Sequence, residues 1–98
     1  MNMQQIMQQA QRMQRDITSK KEKIDAMTFT GKSEWVEVSF NGKREILSFK
    51  ILKDGIIDNE DKEMLEDMIM IAMKNAFEQI DKETETQLGQ YASMNGLF

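Results

Sequence analysis

From Met3 onward the apolar residues recur as Met3, Ile6, Ala10, Met13, Ile17, Ile24 and Met27, in steps that alternate between three and four with one gap of seven. A mean spacing of 3.5 residues is the seam of a coiled coil, and Lys20 holds the one position that interrupts it. The spacing predicts a first helix over about residues 3–25, roughly 35 Å long at 1.5 Å per residue. Glutamine, lysine and arginine fill its other faces and are good helix formers, so propensity and period agree. A three-stranded sheet is too small to cover such a helix, and part of it must protrude or pair.

The period then changes to two. "WVEVSFNGKREILSFKI" carries Val36, Val38 and Phe40 on one side of a strand, Asn41-Gly42 as a turn, and Leu47, Phe49 and Ile51 on the way back. Asn-Gly between alternating apolar residues predicts a two-residue type I′ hairpin that pairs Val36 with Leu47. "AMTFT" before Gly31 reads as a third, short strand. So small a sheet needs a helix over its apolar face.

That helix is "DKEMLEDMIMIAMKNAFEQI", residues 61–80. Asp58 or Asn59 is the expected N-cap, and Asp61 and Glu63 complement the dipole of the first turn. Leu65, Ile69, Ala72, Ala76 and Ile80 form one apolar stripe. Met64, Met68, Ile71 and Met73 widen it to nearly the whole circumference, because six apolar residues run together from Met68 to Met73. A soluble helix of a small domain buries one stripe only, so a second surface must cover the other side, and a second copy of the chain is the expected one. The pattern divides a single domain, 1–98, into helix 1 over 1–27, an antiparallel sheet over 28–52, helix 2 over 58–88 and a flexible tail over 89–98.

Composition narrows the chemistry. With no cysteine and no histidine, there is neither a disulfide or thiolate metal site nor the commonest general base. The acids Asp58, Glu60, Asp61, Glu63, Glu66 and Asp67 do not make a calcium loop, because Glu63 and Ile69 stand where an EF-hand needs glycine and glutamate. No nucleophile or phosphate-cradling loop accompanies them. The expectation is a protein with no catalytic residues, metal, cofactor or small-molecule substrate. No leader pattern and no run of about 18 apolar residues occurs, which points to a cytoplasmic chain without a membrane span.

The net charge of −4 argues mildly against a nucleic-acid partner until it is divided. Residues 1–53 carry ten basic and six acidic side chains, and residues 54–98 three and eleven. The basic half holds Arg12, Arg15, Lys20, Lys21 and Lys23 on helix 1, Lys32 after the first strand, and Lys43-Arg44 at the hairpin. Such point charges suit phosphates, although taken alone they equally describe a solvated face. No helix-turn-helix, zinc finger or stacking aromatic pattern accompanies them, so any DNA binding should be weakly specific. The ten methionines fit an adaptable core and self-association seam better than a promiscuous groove.

In this order, "MQQAQRMQ" at 7–14, "TGKS" at 30–33, "VEVSFNG" at 36–42, "DKEMLEDMI" at 61–69, the following "AFEQI" and the terminal "GLF" resemble the YbaB/EbfC family of bacterial nucleoid-associated proteins over essentially the whole chain. The resemblance implies an α+β fold, α-β-β-β-α with a small antiparallel sheet between two long helices, in a tight intertwined homodimer whose helices project like tweezer arms. It implies binding of duplex DNA in the nucleoid, with contacts mapping onto Arg12, Arg15, Lys20, Lys21, Lys23 and Lys32. The dimer seam is expected at Met68, Ile71, Met73 and Phe77. Two departures stand out: "SEWVEV" replaces a glycine-rich stretch, and Glu78, Asp81, Glu83 and Glu85 make the far end of helix 2 acidic. The reading from a different class is a dimeric adaptor that binds another protein and has no DNA affinity.

Overall fold

The computed structural model describes residues 2–55 and 57–91. Helix α1 (Met3–Ala26) leads into strands β1 (Phe29–Lys32), β2 (Val36–Phe40) and β3 (Ile46–Ile51), a short 3-10 turn (Asn59–Asp61), helix α2 (Lys62–Leu88) and a closing 3-10 turn (Gly89–Tyr91). This is the expected α-β-β-β-α order, with the strands in one antiparallel sheet ordered β1-β2-β3. Of the expected tail, residues 92–98 lie outside the described residues. Among the described residues no helix is long and apolar enough to cross a membrane.

Local chemistry fixes the start of α1 and of the 3-10 turn that leads into α2. Asn2 caps α1 by accepting from the Gln5 amide at 2.9 Å. Asp58 accepts from the amides of Glu60 and Asp61, while the Asp61 carboxylate returns to the Asp58 amide and takes the Lys53 ammonium at 2.7 Å. That reciprocal arrangement is a capping box, satisfying donors that a helix start leaves open.

β1 and β2 pack under α2. Val36, Val38 and Phe40 are buried against Ala72, Ala76 and Ile80, each large side chain contributing about 1.5–3 kcal/mol by leaving water. The closest approach is at Gly31, where an added Cβ would stand 1.9 Å from the Ala72 carbonyl oxygen and 2.6 Å from the Ala76 nitrogen. "TGKS" is therefore a helix-docking strip. The Gln79 amide donates to the Thr30 carbonyl at 2.8 Å, the Asn75 side chain accepts from the Lys32 amide at 3.4 Å, and the Ser33 hydroxyl donates to the Met68 carbonyl at 2.8 Å.

The hairpin corrects one expectation. Val36 pairs with Ile51 and Val38 with Phe49, not Val36 with Leu47, and the ladder slips by one residue between Ser39 and Phe40. Asn41 is the reason: its side-chain oxygen accepts from the amides of Lys43 and Glu45, at 2.9 and 3.0 Å. The turn becomes a three-residue loop in which Arg44 takes the left-handed conformation, φ 65°, the usual pattern of a type I turn followed by a bulge. Gly42 serves another purpose, since a Cβ there would meet the Ile24 carbonyl oxygen at 2.2 Å. The hairpin tip lies directly on the end of α1.

α1 packs on α2 through Ile17 and Ile24, both buried, while residues 2–12 are exposed throughout. The molecule measures 70 × 20 × 16 Å with a radius of gyration of 19.3 Å, against about 13 Å for a compact chain of this length. The excess is the projecting start of α1.

Candidate nucleic-acid interface

The seam of α1 sets the direction of its cations. With Ile17 and Ile24 facing the core, a 100° turn per residue carries Arg12, Arg15 and Lys23 to the opposite side, within roughly 80° of one another. All three are exposed. Lys20, the interruption in the seam, turns inward instead: its ammonium lies 3.2 Å from the Asp16 carboxylate and 5.9 Å from the centre of the Tyr91 ring. Lys21 is exposed beside a small cavity of about 190 Å³ formed with Ile24, Asp25, Gly42, Thr84 and Leu88. Lys32 is exposed at the end of β1, on the sheet rather than on α1. The structure thus gathers three of the six expected DNA-contacting residues on one outward face and separates the others.

Two other basic side chains are paired within the chain. Arg44 reaches Asp81 at 2.5 Å and lies over the Phe77 ring at 4.8 Å. Lys53 bridges Asp61 and the Trp35 ring, 4.3 Å from its centre. These contacts tie the hairpin loop to α2 and the β3 exit to the turn before it; exposed lysines also stand at Lys43, Lys50, Lys62, Lys74 and Lys82, but the α1 face is where two arginines and a lysine share one side of a projecting helix. Of the acids of α1, Asp16 is engaged, Asp25 is half-buried and Glu22 is exposed.

Tyr91 completes the base of the arm. Its hydroxyl donates to the Asp16 carboxylate at 2.5 Å. That hydrogen bond, with the Lys20 ammonium beside it, holds Asp16 below the usual carboxylate range, and the same carboxylate raises the Tyr91 phenol above its ordinary value. The Lys53 ammonium, followed by hydrogen bonds from Asp58, likewise lowers Asp61.

A second surface follows from a mismatch of widths. A helix about 10 Å across covers about two strands spaced 4.8 Å apart. α2 accordingly packs on β1 and β2, and all six residues of β3 stay exposed. Phe49 and Ile51 lie opposite Val38 and Val36 on the helix-bearing face, and α2 itself carries an open groove of about 460 Å³ lined by Met70, Met73, Lys74, Phe77, Glu78 and Asp81. Of the four residues expected at a dimer seam, Met73 and Phe77 border this groove and also touch the chain's own core. Met68 and the exposed Ile71 lie on the other flank of α2, beside β1. Sequence reasoning assigned the β3 row to the covered core; the short sheet and single covering helix carried the signal that it is not covered.

Comparison with known proteins gives a consistent picture. The model of the YbaB/EbfC DNA-binding family matches residues 1–95. A nucleoid-associated protein of Lactococcus lactis subsp. lactis (strain IL1403) is 44% identical over 93 residues, covering 93% of either chain. A nucleoid-associated protein of Streptococcus equi subsp. zooepidemicus (strain MGCS10565) is 42% identical over 94 residues, covering 94% of either chain. The crystal structure of an uncharacterized protein from Helicobacter pylori shares the fold with a TM-score of 0.74 at 24% identity, over 94% of this chain and 98% of that one.

Proposed function

We propose, for a chain that belongs to the YbaB/EbfC DNA-binding family, that it binds duplex DNA as a homodimer, through phosphates and with little sequence preference, as a nucleoid-associated protein of the cytoplasm. The observation that carries this reading is the outward face of α1, where Arg12, Arg15 and Lys23 point away from the body while Lys20, Arg44 and Lys53 are held in internal pairs. Point charges spaced along a helix neutralise phosphates but read no bases, since sequence is read by contacts to base edges. Lys32 and Lys21 extend the basic surface on the body.

The homodimer is supported by the β3 row. An exposed edge strand carrying Ile46, Leu47, Phe49 and Ile51 is a surface that soluble proteins cover. A second copy that seats its own β3 and the Met70–Phe77 side of α2 on this groove buries both patches in one symmetric contact. It also sets two α1 faces at a fixed separation. Replacing Arg12, Arg15 and Lys23 together by glutamate should weaken binding of a random-sequence duplex by about tenfold or more at low salt, while helicity and dimer mass stay unchanged. Unaltered binding would reject the α1 assignment.

A further inference from the structure

We infer that the first three turns of α1 are a self-pairing arm, in which the seam Met3-Ile6-Ala10 packs against the same segment of a second copy, at a contact separate from β3. On this helix Met3 is 74% exposed, Ile6 48% and Met7 58%. Lower down, the same seam is buried: Ile17 and Ile24 lie against α2, with Met13 half-covered between the two regions. α2 ends at Leu88, and the last described residue, Tyr91, is fastened to Asp16. Above that level nothing among the described residues covers the seam.

Two properties select the partner. The alternation of three and four matches another helix, whose side chains enter such a seam as knobs into holes; a strand or an irregular segment has no matching period. Charge then selects an identical helix. Residues 2–11 contain no charged side chain, in a chain of which 31% of residues are charged. A segment binding a differently charged partner would carry complementary charges, whereas one that meets itself must avoid like charges facing each other across the contact. Glutamines on the flanks meet glutamines without repulsion. Such a contact is small, roughly 300 Å² per copy against about 800 Å² for a standard interface. In free solution it therefore forms transiently, which a disulfide still traps, and it persists where copies are held close together, as neighbours on one duplex would be. With β3 as a second self-contact, each chain has two ways to meet its own kind, enough to link copies beyond a pair.

The chain has no cysteine, so any disulfide in a single-cysteine variant joins two copies. Ile6 lies at the middle of the seam and meets its counterpart in either helix direction; Gln8 points away. Full-length Ile6→Cys, exposed to oxidised glutathione without DNA, should cross-link about tenfold faster than Gln8→Cys. Because DNA is absent, failure of DNA binding leaves this result intact. Equal rates for the two variants would overturn the proposal. So would a rate for Ile6→Cys that rises only when Leu97 and Phe98 are also replaced by glutamine, because the seam would then belong to the chain's own residues 92–98.

Discussion

The Tyr91 hydroxyl donates to the Asp16 carboxylate at 2.5 Å, joining the last described residue to the middle of α1, at the base of its projecting arm. The contact needs a protonated phenol and an ionised acid. Tyr91 is raised above its ordinary 10.0, so its contribution to stability is complete below that value and is lost as the pH rises through the raised pKa. Asp16 is lowered below 3.8, so its contribution is present above that value and is lost as the pH falls through the lowered one. Tyr91 is the only tyrosine, which lets absorbance at the phenolate band follow it alone. The midpoint should lie above 10.0 and move down in Asp16→Asn; a midpoint indifferent to Asp16 would mean that the clamp does not form in solution.

Gly31 is the tightest point between sheet and helix. An alanine there would collide with backbone atoms of α2, which cannot swing aside as a side-chain tip can. Gly31→Ala should cost roughly 3 kcal/mol, at the upper end of overpacking effects, measured as a fall in urea midpoint at constant m. A neutral effect would contradict the docking of β1 under Ala72.

The dimer proposal separates the two flanks of α2. Phe49→Glu with Ile51→Glu puts charges into the proposed contact and should yield a folded monomer in sedimentation velocity, since neither side chain is part of the buried core. Ile71→Asp, on the flank beside β1, should leave the dimer intact. The opposite pattern would move the interface to the Met68–Ile71 side.

Much of this architecture is legible in the sequence because its signals are periodic. The 3.5-residue spacing of α1 announced a helix, its length announced that some part of it stands clear of the sheet without saying which, and the Met68–Met73 run announced a helix apolar beyond one stripe. What escaped depends on individual side chains. Asn41 looked like the first residue of a two-residue turn, yet its side-chain oxygen captures the amides of Lys43 and Glu45 and lengthens the loop. Gly42 looked like a turn glycine and proved to be the place where the hairpin touches Ile24. Lys20 looked like a candidate phosphate contact; the acid and the ring that turn it inward are contributed by Asp16, a turn away, and by Tyr91, far along the chain. Spacing cannot report such partners.

The most direct test of the functional account is the affinity for a random-sequence duplex, followed by fluorescence anisotropy across a range of salt concentrations. Three outward cations on each of two chains predict about six neutralised phosphates, hence a log–log slope near −5 at about −0.9 per phosphate. Saturable binding with a slope of that size is the predicted result. Absence of binding at low salt, or binding that salt leaves unchanged, would contradict the DNA reading and favour a protein partner for the same dimer.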